Sequence, residues 1–371
     1  MSKLFSAALS IAILSLVPSC SSEDAAPAAA TVPEASAEGP PANPGAASTE
    51  PPLGGQAAMA TEQTVAPVLP ASAASTAMAA PPAMVALQPA LPVVANANHA
   101  QLLSSAVPEL AANKRLVYDL WRTLIEARDT QAAQQYLAEG YIQHNPNADT
   151  GRAGVLAYFG SLGAPLAVQD RVQAPLVAIV AERDHVAVVQ VDEHDQPRPY
   201  TTTWFDLFRI QDGLVAEHWD HGRLPAGGTP RAYVPPAESS DQEAALASGN
   251  PQLAGNKRLV YDMWRTLLDA QQVEEAPKFL AEGYIQHNPL ANTGLQGFLS
   301  FFRQFAQPRA VQPRIANFIQ EIAEGDLVVL ATLRTYPGAA GSSYATTWFD
   351  MFRVSDSLLV EHWDTGTLPD Q

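Results

Sequence analysis

Two tandem α+β domains behind a long N-terminal arm are the architecture the sequence predicts, and three observations carry it. Whole blocks recur. Asn113-Lys114-Arg115-Leu116-Val117-Tyr118-Asp119 returns at 256–262 and Gly140-Tyr141-Ile142-Gln143-His144-Asn145-Pro146 at 283–289, each 143 residues on. Thr202-Thr203-Trp204-Phe205-Asp206 and Glu217-His218-Trp219-Asp220 return at 346–350 and 361–364, each 144 residues on. A period that long exceeds the roughly 20–50 residues of solenoid units, so each copy is a whole domain. Within a copy, helical spacing comes first and β-branched runs follow, the order of an α+β domain. Ahead of the first copy the composition breaks: of the 80 residues 21–100, 39 are Ala or Pro and none is aromatic, Lys or Arg.

The elements follow in chain order. Lys3 and the short apolar run 4–17 read as a secretory signal, too short for the roughly 20 residues of a spanning helix. Val17-Pro18-Ser19-Cys20 resembles a bacterial lipobox, with Pro18 an unusual residue there. That resemblance implies a chain cut before Cys20 and lipidated on it, and Ser21 implies sorting to the outer membrane, facing the periplasm or the cell surface. The signal is therefore 1–20. Residues 21–105 cannot bury enough apolar surface to offset the ordering of their backbone and read as a disordered tether.

In the first domain, 106–225, Leu116, Val117, Leu120, Trp121, Leu124 and Ile125 make one apolar helical stripe, kept in the second copy by Leu259, Val260, Met263, Trp264, Leu267 and Leu268. A short helix over 130–137 and another after Gly151 come next. Strands are expected over 172–181, 186–191, 201–210 and 214–220, with Asp212-Gly213 as a two-residue hairpin. Residues 226–248, rich in Pro, Gly and Ala at their start, read as a linker, and 249–371 as the second domain.

Composition removes several functions. The chain has 371 residues, 21 basic against 38 acidic, a net charge of −17 and a single cysteine. One cysteine forms no internal disulfide or multi-cysteine zinc site, and an acidic chain without a basic cluster does not suit nucleic acid. No Gly-x-Ser-x-Gly motif or suitable cysteine supports a nucleophilic triad.

The Trp-bearing helix, Tyr-Ile-Gln-His-Asn-Pro, and the terminal hairpin Asp-x-Phe-Arg followed by Glu-His-Trp-Asp resemble the SnoaL-like polyketide cyclase family of the nuclear transport factor two-like superfamily. The resemblance covers nearly all of both repeats. It implies a cone in each copy, a curved antiparallel sheet on about three helices around one apolar pocket, and an intramolecular pseudo-dimer of the two repeats. It also implies chemistry without cofactor or metal: an aspartate of the last strands as acid/base for an aldol-type closure, here Asp220 and Asp364.

Strand alternation puts Leu214, Ala216, His218 and Asp220 on one face and Val215, Glu217 and Trp219 on the other, and likewise Leu358, Val360, His362 and Asp364. With a two-residue turn, Leu207 faces His218 and Phe205 faces Asp220, and Asp206 and Asp350 fall on the Trp219 side, as structural residues. His218 and His362 join the aspartates as catalytic candidates. His144, His287, Gln143, Gln286, Tyr141 and Tyr284 are the candidates for holding substrate. Arg115 with Asp119, and Arg258 with Asp262, are read as surface i,i+4 pairs. A metal held by His218, Asp220, His221 and His144 is a rival, but the second copy has Thr365 where the first has His221, so the two copies would differ.

The functional expectation is thus an exported, lipid-anchored protein, a cofactor-free lyase or isomerase on a hydrophobic carbonyl compound. The alternative is a non-catalytic small-molecule-binding or protein-interaction module at the cell envelope. Its partners are a small hydrophobic ligand and, through the lipid alone, the membrane.

Overall fold

The computed structural model describes residues 87–369; the signal, Cys20 and the arm as far as residue 86 lie outside the described residues. The first copy begins with α1 (His99–Leu102) and α2 (Pro108–Leu120), which has Pro108 in its first turn and runs on into a π-helical segment, Trp121–Glu126. Asp129 accepts from the Ala132 N–H at 3.0 Å and so starts α3 (Thr130–Ala133). Then come β1 (Leu137–Gln143), α4 (Arg152–Ser161), β2 (Leu176–Glu182), β3 (His185–His194), β4 (Tyr200–Gln211) and β5 (Leu214–Asp220). After α5 (Gln242–Leu246) the order repeats as α6 (Pro251–Met263), β6 (Leu280–Gln286), α7 (Leu295–Phe302), β7 (Phe318–Glu324), β8 (Leu327–Pro337), β9 (Ser343–Ser355) and β10 (Leu358–Asp364). The chain is α+β, with five strands in each sheet, ordered β1-β5-β4-β3-β2 and β6-β10-β9-β8-β7.

The Tyr-Ile-Gln segment is itself an edge strand, β1, parallel to β5, while the other pairings are antiparallel. The β4–β5 turn has positive φ at Asp212 (52°) and Gly213 (74°), and β9–β10 repeats it at Asp356 (50°) and Ser357 (61°). Just past each turn one residue is extra. Ile210 pairs with Val215 but Arg209 with Glu217, so Ala216 is a bulge, and Val360 is skipped in the same way between Leu359 and Glu361.

Each sheet buries its concave face against its helices. In the first copy Val117, Tyr118, Trp121 and Leu124 pack with Ile179, Val188, Phe208 and Val215; in the second Val260, Tyr261, Trp264 and Leu267 pack with Leu330, Phe352 and Leu359. The convex faces pack on each other in one core that includes Phe205, Leu207 and Trp219 with Phe349, Met351 and Trp363, the Phe205 and Phe349 rings stacking at 5.5 Å. Reciprocal ion pairs flank it, Lys114 to Glu324 at 2.6 Å and Lys257 to Glu182 at 2.8 Å.

Order begins before residue 106. Val93, Leu102 and Leu103 are buried, and the Leu91 N–H donates to Gln286 O at 2.9 Å. The apolar residues of 87–103 give that stretch surface to bury. The stretch after the first domain behaves alike: Val234 N–H donates to Gln143 O at 3.0 Å, and Ala245 and Leu246 of α5 are buried. Each domain is thus strapped by the segment that precedes the other.

Candidate functional site

The bulge decides which side chains meet. By inserting Ala216 it opposes Phe208 to His218 and Asp206 to Asp220, in place of the Leu207–His218 and Phe205–Asp220 pairs that plain alternation predicts. Val215 joins the His218 side, and Asp206 leaves the Trp219 side to lie beside His218. The face expected for Asp206 and Asp350 is therefore corrected; both lie in the cluster.

His218 Nε2 lies 2.9 Å from Asp206 Oδ1 and 4.0 Å from Asp220 Oδ2, and His218 Nδ1 lies 2.9 Å from Gln143 Oε1. Gln143 Oε1 also accepts the Asn145 backbone N–H at 2.9 Å, which fixes the amide's orientation. Nδ1 must then carry a hydrogen, and one further proton is shared between Nε2 and Asp206. Asp220 accepts from Asn145 Nδ2 at 2.7 Å and from Gly222 N–H at 2.8 Å. The second domain repeats this. His362 lies 2.9 Å from Asp350 Oδ1, 3.9 Å from Asp364 and 2.9 Å from Gln286 Oε1, and Asp364 accepts from Asn288 at 2.7 Å and Gly366 at 2.8 Å. Glycine is required after the aspartate because a Cβ at Gly222 would lie 2.5 Å from Asn145 Nδ2, and one at Gly366 2.4 Å from Asn288 Nδ2.

Asp206, His218 and Asp220 are 5%, 7% and 4% exposed, and this burial sets their electrostatics. Desolvation raises Asp206 to about 6 against the lowering pull of His218; it also raises Asp350, against the pull of His362. Burial opposes the charge on His218 and His362, but the paired carboxylates outweigh it and hold both imidazoles above their ordinary pKa. Burial and the two carboxylates also push the Tyr141 and Tyr284 hydroxyls well up. Oδ2 of Asp206 and of Asp350 meets no donor in hydrogen-bonding geometry; Trp204 stabilises the Asp206 carboxylate only weakly.

Of the residues singled out in the sequence, the structure gathers Asp220, His218, Gln143 and Tyr141, with Asp364, His362, Gln286 and Tyr284. It does not bring His144 or His287 to them. His144 stacks on Trp219 at 4.9 Å, and its nitrogens bond Glu217 at 2.8 Å and Val234 O at 2.6 Å. His287 stacks on Trp363 at 5.1 Å and bonds Glu361 and Leu91 O, both at 2.9 Å. Both histidines fasten straps on the opposite face. Sequence reading missed Asp206, Asp350, the aspartate-holding role of Asn145 and Asn288, and both glycines. Their only signal was recurrence in both copies.

The ligand atoms of Asp206, His218 and Asp220, and of Asp350, His362 and Asp364, lie close enough to hold a divalent cation, a set in which Asp206 replaces the expected His221 and His144. A cation there would take the place of the proton shared by the histidine and the aspartate 2.9 Å from it; with that proton the cluster is a proton-sharing pair beside a carboxylate. Two cavities stand out among the described residues and neither is lined by a cluster. The larger is a groove of about 620 Å³ between the 89–92 strap, the 193–201 hairpin and the 287–292 loop. The aromatic side chains Trp121, Tyr141 and Phe208 belong to the core of one cone, and Trp264, Tyr284 and Phe298 to that of the other.

The SnoaL-like domain model matches residues 118–218 and 261–362, together more than half of the chain. The chain belongs to the SnoaL-like family. Its two SnoaL-like domains coincide with the two sheets and their helices. No curated protein matches. Among solved structures, an LEH-like epoxide hydrolase of M. tuberculosis is 18% identical and TsrD of Streptomyces laurentii 20%. Each match covers 30% of this chain, with 84% and 87% of the respective relative and TM-scores of 0.24 and 0.22.

Proposed function

We propose that the SnoaL-like domains are cofactor-free acid/base sites of the lyase or isomerase kind, acting on a hydrophobic carbonyl compound. One observation carries this reading: the same aspartate–histidine–aspartate cluster is built twice, with corresponding distances agreeing to 0.1 Å. Asp220 accepts the proton from the carbon beside the carbonyl, and the proton held by Asp206 and His218 neutralises the developing enolate. Return of a proton at a new position completes an isomerisation; attack of the enolate carbon on a second carbonyl completes an aldol closure.

Proton abstraction is tested by following α-hydrogen exchange of alkyl aryl ketones in D₂O by NMR. The wild-type chain should accelerate exchange and Asp220→Asn with Asp364→Asn should abolish it. No acceleration, or exchange unchanged in the double variant, removes the enzyme. One observation favours the second reading, a non-catalytic binding or interaction module: neither cavity opens on a cluster. Native mass spectrometry showing a co-purified small molecule that the wild-type chain does not turn over would support it.

We also infer that the repeats act as an intramolecular pseudo-dimer, supported by the shared convex core and the reciprocal ion pairs. Export and lipid anchoring through Cys20 to the cell envelope, with the Ala/Pro-rich arm after it as tether, rest on the lipobox-like sequence. Loss of detergent-phase partitioning in Cys20→Ser would support them, and unchanged partitioning would end them.

A further inference from the structure

The carbonyl of each cluster aspartate is held by the other domain. Thr346 Oγ1, on β9, donates to Asp220 O at 3.1 Å, and on β4 Thr202 and Thr203 donate to Asp364 O at 3.1 and 2.7 Å. A second reciprocal contact lies four residues on: Leu224 N–H donates to the Tyr344 hydroxyl at 3.0 Å and Leu368 N–H to the Tyr200 hydroxyl at 3.1 Å. The turn after β5, which carries the Asp220 carboxylate and the Gly222 N–H bound to it, is therefore pinned at both ends by the second domain, and the turn after β10 by the first.

These threonines are less than 2% exposed, so water cannot replace the bonds. The arrangement is unequal in one respect. Thr347, the counterpart of Thr203, is as buried, but its hydroxyl has no partner. Asp364 is held by two threonines and Asp220 by one.

We propose that Thr346, and Thr202 with Thr203, are positioning residues acting across the domain boundary: each fixes the aspartate of the opposite cluster, so neither cluster is complete within its own domain. As a statement about catalysis this rests on the acid/base reading above; as a statement about geometry it does not. A displaced Asp220 backbone moves its carboxylate relative to His218 Nε2, 4.0 Å away, and weakens the Gly222 N–H bond. Both effects have spectroscopic signatures that need no substrate.

The test uses the full chain labelled with ¹⁵N-glycine and ¹⁵N-histidine. Thr346→Val should move the Gly222 amide proton upfield and shift the His218 ring-nitrogen titration, leaving Gly366 and His362 unchanged. Thr202→Val with Thr203→Val should do the converse. Thr346→Ser should restore the wild-type spectrum, and Thr347→Val, which removes an equally buried but unbonded hydroxyl, should leave both clusters unchanged. Movement of both clusters by either variant, of the same-domain cluster, or of neither, would overturn the proposal. If a variant unfolds, a single Thr203→Val, which leaves the Thr202 bond, still decides it: it should move Gly366 and His362 and leave Gly222 and His218 unchanged. Absence of ketone exchange in the wild type would remove the catalytic reading while leaving the crossed spectral pattern to be judged on its own.

Discussion

In the first domain Ile179 pairs with Val188 and packs against the helices; in the second the equivalent place, opposite Leu330, is taken by Glu321, fully buried and without a hydrogen bond on either oxygen. Burial pushes that carboxyl well above its ordinary pKa, and the pull of Lys257 does not offset it. The first domain has its own unpaired group. His221, in the place of Thr365, lies 4.0 Å from the Trp204 ring with Nδ1 unbonded, and burial lowers it to about 4. On the helix after β1, Val155 and Tyr158 stand where the second domain has Phe298 and Phe301, each helix starting from an equivalent glycine. Against these differences the bonds of the histidine to its aspartate and glutamine, and of the last aspartate to its asparagine and glycine, are all duplicated. The hydrogen-bonded geometry tolerates no substitution without orphaning a buried partner, whereas the surrounding packing tolerates many that keep the volume filled.

The largest test of that comparison is at the reciprocal ion pairs. Lys257 is fully buried and bonds Glu182, itself 5% exposed, whereas the Glu324 side chain facing Lys114 is 21% exposed. Lys257→Met leaves a buried carboxylate whose remaining bond is from the Ala323 N–H, and should cost about 3–5 kcal/mol in urea unfolding. Lys114→Met should cost clearly less, because water reaches Glu324. Equal losses would mean that the exposure difference is irrelevant.

Exchanging the unmatched interior residues comes next. Glu321→Ile should stabilise the chain by about 1–3 kcal/mol at pH 7, and Ile179→Glu should destabilise it by at least as much. The pH sense follows from the raised pKa. The native state keeps the Glu321 proton above the unfolded value, so stability falls as pH rises beyond about 4.3. Glu321→Ile should remove that slope; a slope unchanged by the substitution would show that other groups cause it.

His221 gives the opposite and smaller slope. It is faced by Asp220, Asp192, His194 and Arg223, and its lowered pKa means the unfolded chain takes up a proton that the native chain refuses. Stability from this source is present above about pH 6.5 and lost as pH falls toward 4. His221→Thr, the second domain's residue, should recover on the order of 1 kcal/mol at pH 5 and nothing at pH 8. Recovery at pH 8 as well would point to packing against Trp204 as the cause.

How much of this was legible in the sequence follows from the range of each interaction. The helical stripes through Trp121 and Trp264, the hairpin turn and the duplication are local or repeated signals, and the fold is built on them. The face on which Asp206 lies was not legible. A single extra residue, Ala216, reverses strand parity, and nothing in Leu-Val-Ala-Glu-His-Trp-Asp marks a bulge. His144 misled for a related reason. It sits one residue past Gln143, and in an extended chain neighbours point to opposite faces, so only one of the pair could reach His218. The cross-domain threonines are bonded to residues 126 to 162 positions away, beyond any local signal.

The smallest expected effect corrects an expected surface pair. Asp119 bonds Arg122 at 2.8 Å, an i,i+3 pair, and Asp262 bonds Arg265 in the same way, while Arg115 lies over the Tyr118 ring at 5.8 Å. Arg258 differs from Arg115 in also pairing with Glu243, an exposed contact of the second domain. Holding two long side chains together in water gains a little Coulomb energy, most of it offset by lost rotamer freedom and screened by salt. Asp119→Ala and Asp262→Ala should therefore each cost only about 0.2–0.5 kcal/mol, and less in high salt. The guanidinium of Arg122 also donates to Gln169 O at 2.6 Å, and that of Arg265 to Gln312 O at 2.7 Å. A loss above about 1 kcal/mol on removing the aspartate would mean that it orients the arginine for this long-range bond, making the pair part of the helix-to-loop packing in both domains.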